Sequence, residues 1–102
     1  MKKVIDGLVY NTDTAIEIAS WDNGLSTTDF NNCEETLYKT KNGKFFVYGE
    51  GGALTRWSES YGNSRYGGKG IITLVQEEAL MWCEDHSVDA DIISQYFSID
   101  EA

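Results

Sequence analysis

The sequence predicts the α+β fold class: an antiparallel β-sheet of hairpins, with about four to six short strands, and two C-terminal α-helices packed on one face. Three observations support this class. Two glycine-containing turn dipeptides each separate runs rich in aromatic and β-branched residues, which is typical of β-hairpins. Another run alternates with the period of a strand, and apolar residues near the C-terminus recur at helical spacing. A chain of 102 residues forms one domain, over residues 1–102.

The first predicted element is a β-hairpin over residues 3–10. Its turn is formed by Asp6-Gly7, because this dipeptide adopts the positive φ angles that a two-residue hairpin turn requires. This turn places Val4 opposite Val9 on the two strands. The chain therefore begins with a compact antiparallel pair.

A single strand and a loop follow the first hairpin. Residues 14–21 alternate, with Ile16 and Ile18 on one face, and this period of two predicts a half-buried strand. Residues 25–34 have no hydrophobic period, and we expect them to form a loop.

The main hairpin lies within residues 35–52. Asn42-Gly43 separates its two strands, which predicts a type I′ turn of two residues. In that geometry Lys41 faces Lys44, so lysines gather at the tip of the hairpin. The two faces of this hairpin both carry apolar residues, and we expect one of them to face the core.

The segment from 49 to 70 holds seven of the ten glycines. A loop of this length inside a small domain is usually functional or mobile. We expect it to cover part of the second face of the main hairpin. Residues 71–74 are apolar and β-branched, which predicts a short strand.

The C-terminal part predicts two helices. Residues 75–86 contain good helix formers, with Glu77 and Glu78 in the first turn, where the helix dipole favours anions. Ser87 or Asp89 can cap the second helix, whose apolar residues recur at helical spacing.

The net charge of −9 is unevenly distributed. Residues 1–33 carry two lysines and five acids, residues 34–70 carry six basic residues and four acids, and residues 71–102 carry eight acids without Lys or Arg. The acidic last third repels nucleic acid and favours basic surfaces. No apolar run reaches the length of a membrane span, and the first residues lack a secretory signal, so we expect no membrane association. Two cysteines suit a reducing compartment.

The sequence gives little support for catalysis, and we expect a protein that is not an enzyme. His86, the only histidine, follows Cys83 by three residues, and a buried thiol beside a polar residue at a helix end explains this pair better than a nucleophile does. One His and two distant Cys offer too few ligands for a metal site. No cofactor motif is present, because the glycines near Glu50 flank a carboxylate that would repel a phosphate.

Two groups of residues are candidates for binding a partner. The first is an acidic face that could resemble a nucleic-acid backbone and enter a basic channel. It comprises Glu77, Glu78, Glu84, Asp85, Asp89 and Asp91. The second combines the hairpin tip with the glycine-rich loop. It comprises Lys39, Lys41, Lys44, Arg56, Trp57 and Arg65.

Direct nucleic-acid binding through the second group is the weaker alternative. Basic residues interleaved with aromatic ones suit base stacking and phosphate contact. The acidic ends of the chain would oppose a polyanion, however, and a small core needs most of these aromatic side chains.

Four ordered blocks of the sequence resemble a family of short acidic proteins carried by phages, plasmids and other mobile elements of Gram-positive bacteria. The blocks read IDGLVYNTDTA, WDNG, EETLYKTKNGKFFVYGEGGALTRW and GIITLVQEEALMW, and together they span most of residues 3–86. This chain departs from the family's pattern at the start of the first helix, where it has Thr73 and Val75 in place of Pro and Ser. The residues after Ser87 lie outside the resemblance.

Some proteins of that genomic setting are anti-CRISPR inhibitors, so the resemblance implies a partner: a CRISPR effector nuclease or its ribonucleoprotein complex in the cytoplasm of the bacterial host. The expected function is inhibition by blocking the nucleic-acid channel of that effector. Two alternatives stay open: a nucleic-acid-binding accessory protein that uses the basic aromatic hairpin, and an interaction module unrelated to defence. A homodimer is compatible with each of them.

Overall fold

The computed structural model describes residues 1–102 and contains eight β-strands and two α-helices. The strands form three antiparallel sheets and the helices follow them, so the predicted α+β class is confirmed. Two more strands occur than the upper limit expected from the sequence, because the glycine-rich segment forms a hairpin of its own. The elements are β1 (Lys2–Ile5), β2 (Leu8–Asn11), β3 (Ile16–Asp22), β4 (Cys33–Lys39), β5 (Phe45–Gly51), β6 (Glu59–Tyr61), β7 (Ser64–Tyr66), β8 (Gly68–Leu74), α1 (Gln76–Asp85) and α2 (Ala90–Tyr96).

The first hairpin has the predicted turn and register. β1 and β2 pair with Val4 opposite Val9, and Asp6 and Gly7 adopt positive φ angles of 52° and 79°. This hairpin is a separate two-stranded sheet. It packs on the rest of the protein through Tyr10, which is buried, and through Ile5, which is partly buried.

The central sheet has the strand order β3-β4-β5-β8. A β-bulge interrupts β3 between Glu17 and Ala19, and it changes the environment of the two isoleucines in this strand. Ile18 is buried, whereas Ile16 is 48% exposed. The predicted half-buried strand is present, but the two isoleucines that were expected on one face differ in burial.

The turn of the main hairpin differs from the two-residue turn predicted. The Thr40 N–H donates to the Lys44 carbonyl at 2.7 Å, and the Gly43 N–H donates to the Thr40 carbonyl at 3.0 Å. Three residues therefore form the loop, and only Gly43 has a positive φ, of 82°. This is the hairpin loop in which a glycine follows a type I turn, and it leaves Asn42 in an ordinary conformation.

The longer turn shifts the register by one residue. Leu37 pairs with Val47 and Tyr38 pairs with Phe46. A shift of one residue exchanges the faces of a strand relative to its partner. Leu37, Phe45 and Val47 consequently pack on the helix side of the sheet, while Phe46 packs on the other side.

Two apolar clusters cover the two faces of the central sheet. The helix-side core includes residues from both helices, so the prediction that the helices pack on one face is confirmed. The second cluster is smaller and consists of Tyr10, Phe46 and Ile71, with partly buried residues around them. The Tyr10 ring meets the Phe46 ring edge-on, with their centroids 5.5 Å apart.

The glycine-rich segment lies on a different face from the one expected. Its residue Trp57 belongs to the helix-side core, and the first hairpin covers the second face instead. The indole of Trp57 lies directly on Gly49, where a Cβ atom would overlap the ring. The lack of a side chain at Gly49 therefore decides where this segment packs.

The two helices begin at different kinds of cap. Val75 precedes α1 and offers no side-chain acceptor, but the Glu78 carboxylate accepts a hydrogen bond from the Val75 N–H at 3.0 Å. Asp89 caps α2 by accepting from the Asp91 N–H at 2.8 Å, which is one of the two caps predicted. Neither helix has the length and apolar character that would be needed to cross a membrane.

Candidate functional site

A buried carboxylate joins three distant parts of the chain. Glu35 lies in β4 on the helix side, and its side chain is only 6% exposed. It accepts two hydrogen bonds from Arg56 (2.8 and 2.9 Å), one from the indole N–H of Trp57 (2.8 Å) and one from that of Trp82 (2.9 Å). Because two parallel bonds come from one guanidinium, the pair has the bidentate geometry that is strongest for such ions.

The single histidine completes this arrangement. His86 stacks on Trp21 with ring centroids 4.3 Å apart, and it meets the edge of Trp82 at 4.5 Å. Its Nε2 atom lies 3.8 Å from Glu35 Oε1. We call Glu35, Arg56, Trp57, Trp82 and His86 the Glu35 cluster.

The hydrogen bonds to Glu35 keep its carboxylate ionised. Burial raises the pKa of Glu35, but hydrogen bonds from Trp82, Trp57 and Arg56 and the positive charge of Arg56 outweigh it, so the pKa lies below its ordinary value. A carboxylate held in this way is a poor proton acceptor. The Glu35 cluster therefore connects β4, the glycine-rich segment and α1, and it has the properties of a structural centre.

The cysteines lack the features of activated nucleophiles. Burial, helped by the negative charge of Glu35, raises the pKa of the Cys33 thiol, and burial with the charge of Glu84 raises that of Cys83. Cys83 is fully buried among apolar side chains. No group of three or more His, Cys, Asp or Glu side chains is arranged to hold a metal ion.

All six acidic residues predicted to bind a partner are exposed. None of them forms an ion pair; the ion pair of Arg56 and the close approach of His86 are both made to Glu35 instead. Met81, which is 57% exposed, lies on the same helix as four of them. We call this set the acidic helical surface; it consists of Glu77, Glu78, Glu84, Asp85, Asp89 and Asp91.

Negative charge also accumulates outside the helices. Glu34 lies opposite Asp22 on one neighbouring strand and opposite Glu50 on the other, so three carboxylates stand abreast across the sheet. Glu34 is exposed, and desolvation by its neighbours, then a hydrogen bond with Glu50 and the charges of Glu50 and Asp22, raise its pKa. The acidic character of the protein is thus not confined to its last third.

The predicted hairpin and loop residues have divergent environments. Lys41 and Lys44 are exposed at the tip, as the sequence suggests, whereas Lys39 lies over the Phe45 ring at 5.5 Å. Arg65 is exposed and donates to the Ser58 hydroxyl at 2.6 Å. None of these four residues forms a hydrogen bond or an ion pair with the Glu35 cluster.

Two of the predicted loop residues belong to the interior arrangement instead. Trp57 is 6% exposed and donates to Glu35, so its assignment to a partner-binding surface is wrong. Arg56 is 47% exposed, but both its donating nitrogens face Glu35. One feature of the sequence points to this cluster. Glu35 shares one face of a strand with Cys33 and Leu37, and a carboxylate on an apolar face requires hydrogen-bond partners.

Comparisons with protein-family models, with curated proteins and with solved structures found no match. The function proposed below consequently rests on the surfaces of this protein and on the resemblance described above.

The folded state should become less stable through His86 as the pH falls. Burial, with the charge of Arg56 adding to it, lowers the pKa of His86 below its ordinary value of 6.5, against the opposing charges of Glu35 and Asp85. The unfolded chain therefore takes up the proton more readily, and the contribution of the neutral imidazole is present above pH 6.5 and lost below it.

Urea denaturation from about pH 7.5 to about pH 5.5 tests this prediction, with His86→Gln as the reference that shares every other titrating group. The free energy of unfolding of the wild type should decrease relative to that of the variant. An increase on acidification would contradict the assignment of a neutral His86.

Proposed function

We propose that this protein is a non-enzymatic anti-defence inhibitor that binds an RNA-guided CRISPR effector nuclease, or its ribonucleoprotein complex, in the cytoplasm of a bacterial host. The acidic helical surface occupies the basic channel through which the effector binds nucleic acid. The resemblance to acidic mobile-element proteins supplies the class of target, and the chemistry of the surface supplies the mechanism.

The observation that carries this proposal is the row of unpaired carboxylates on two packed helices. Glu77 and Glu84 are two turns apart on the outward face of α1, and no basic side chain neutralises them. Unpaired carboxylates on a rigid element are positioned before binding, so they can replace phosphates in a basic channel with little loss of conformational freedom. Met81 lies between them and offers an apolar contact inside a charged rim.

The nucleic-acid-binding alternative has weaker support. Lys41 and Lys44 are free at the hairpin tip, but the aromatic residues of that ribbon are used inside the protein. Phe46 is fully buried, and the Tyr38 ring stacks on it with a centroid distance of 5.0 Å. A ribbon whose aromatic rings are largely covered offers little surface for stacking on bases.

Reversal of two charges on the acidic helical surface should abolish inhibition. The double variant Glu77→Lys, Glu84→Lys leaves Glu78 in place, because Glu78 accepts the hydrogen bond at the start of α1. In assays of target cleavage by purified RNA-guided nucleases, the double variant should be about 100-fold or more weaker as an inhibitor than the wild type. Inhibition by the wild type should also weaken at high salt.

The matched control is Asp13→Lys, Glu17→Lys, which changes the net charge equally at two exposed carboxylates of the N-terminal half. This control should retain inhibition. Equal losses in both double variants would show that only the total charge matters, and the channel mechanism would then be wrong. If the wild type inhibits no member of a panel of CRISPR effectors, the proposed function is wrong. The hypothesis of an interaction module unrelated to defence is then the better explanation.

A further inference from the structure

A shallow groove of about 420 Å³ lies where the loop before β4 meets the ends of β5 and β7 and the start of β8. Phe30 and Tyr66 line it from opposite parts of the chain, and Gly51 and Gly52 contribute backbone. None of these residues belongs to the Glu35 cluster or to the acidic helical surface. We call this site the aromatic groove.

The aromatic side chains of the groove are unusually exposed. Phe30 is 67% exposed and Tyr66 is 53% exposed. The Tyr61 ring, itself 64% exposed, extends this surface with its centroid 5.6 Å from that of Tyr66. Clustered aromatic rings that the fold leaves in solvent are typical of sites that bind a partner.

The groove is formed in advance by the packing of its own backbone. The Gly52 N–H donates to the Asn32 carbonyl, and the Leu54 N–H donates to the Phe30 carbonyl, both at 2.9 Å. A Cβ atom on Gly52 would lie closer to the Phe30 carbonyl oxygen than Cβ atoms come to such atoms in proteins. The loop that carries Phe30 is therefore held against the end of β5, and binding requires little ordering of the protein.

The charges around the groove are mainly negative. Asp29 and Glu50 line it, and Glu34 lies directly beside Glu50 in the sheet register. Lys69 of β8 lies opposite Glu50 on its other side, so Asp29, Glu34 and Glu50 stand against two cations, Lys69 and Arg65, and this edge keeps a net negative charge. Arg65 is the only basic residue that lines the groove, and its guanidinium is engaged by the Ser58 hydroxyl.

We propose that the aromatic groove binds an arginine side chain of a partner polypeptide, with the guanidinium near Glu50 and its flat face and apolar stem against Phe30 and Tyr66. Arginine fits better than lysine, because its planar guanidinium stacks on aromatic rings and bonds a carboxylate through two N–H groups. A nucleic acid fits less well, since the three carboxylates Asp29, Glu34 and Glu50 outnumber Lys69 and Arg65, the two basic residues that could meet its phosphates. The inference deepens the proposed function, on which it rests only for the class of partner, a basic protein.

Titration of the ¹⁵N-labelled protein with the blocked peptide Gly-Ser-Arg-Ser-Gly, at constant ionic strength, tests the proposal without any nuclease. Amide resonances of Gly51, Gly52 and the neighbouring groove residues should shift in a saturable way. The same peptide with citrulline, which keeps the shape of arginine but lacks the charge, should bind at least about tenfold more weakly. Phe30→Ala and Glu50→Gln should each weaken the arginine peptide by about fivefold or more.

The matched control is Glu77→Gln, which removes one exposed carboxylate on α1 and should leave peptide binding unchanged. Equal weakening by Glu77→Gln and Glu50→Gln would indicate diffuse attraction and overturn the proposal. Equal binding of the citrulline peptide, or the same resonance shifts on adding oligothymidylate, would also overturn it. The titration contains no effector, so the peptide can bind even if the protein inhibits no nuclease. Inhibition without peptide binding would overturn this inference and leave the proposed function standing.

Discussion

Replacement of Glu35 by glutamine should lower the free energy of unfolding by about 3–5 kcal/mol. The substitution keeps the size of the side chain but removes its charge and replaces one of its two acceptor oxygens by an NH₂ group. Trp57 and Trp82 donate to different oxygens of Glu35, so one of these two buried indole N–H groups loses its acceptor. A buried donor left unpaired costs about 1–3 kcal/mol. Arg56 is 47% exposed and can turn toward water, so its ion pair with Glu35 contributes less than a fully buried pair would.

Such a loss is large for a protein of this size. Domains are typically stable by about 5–15 kcal/mol, so Glu35→Gln should remove about a fifth or more of the total. Urea denaturation followed by far-UV circular dichroism measures it. The adjacent Glu34→Gln is the matched control, since Glu34 is exposed on the opposite face between two like charges, and its replacement should leave stability unchanged or slightly raised. A Glu35→Gln protein as stable as the wild type would show that the Glu35 cluster does not hold the fold together.

Substitution of Gly49 by alanine should destabilise the protein by about 3 kcal/mol or more. The added Cβ would occupy the position of the Trp57 indole, which lies on the backbone of Gly49. Trp57 would have to leave the helix-side core, and its N–H would leave Glu35 at the same time. The expected cost is therefore that of losing a buried tryptophan together with a hydrogen bond.

The cross-strand partner of Gly49 provides the control for this prediction. Gly70 lies directly opposite Gly49, but a Cβ there would sit 3.9 Å from the Trp57 ring, in ordinary van der Waals contact. Gly70→Ala should retain wild-type stability in the same denaturation experiment. Equal effects of the two substitutions would indicate a general cost of alanine in this sheet and not a specific steric conflict with Trp57.

The consequence for function is a division between interior and surface aromatic residues. All three tryptophans surround Glu35 or stack on His86, which removes them from the candidates for partner binding. The aromatic side chains that remain in solvent, Phe30, Tyr61 and Tyr66, belong to the loop and hairpin near the glycines. The acidic helical surface and the aromatic groove are therefore separate regions that can be tested by separate variants.

Local features were predictable from the sequence where the determining residues are neighbours in the chain. The first hairpin follows from Asp6-Gly7, because a positive φ at two adjacent residues forces the strands to reverse there. The main hairpin was predicted with a turn of two residues, whereas the loop has three. Asn42-Gly43 supports more than one loop type, and the choice between them depends on which faces of the strands the core buries.

The sequence by itself determined the fold class, the order of the main elements and the net charge, because strand alternation, helical spacing and turn dipeptides act over a few residues. Only the tertiary structure decided that Glu35 is buried, that Trp57 belongs to the core and that Phe30 and Tyr66 share a groove. The bonds to Glu35 span 21, 22 and 47 residues, and no local pattern specifies contacts of that separation. They form because a carboxylate on the inward side of a strand must find N–H donors wherever the folded chain brings them within reach.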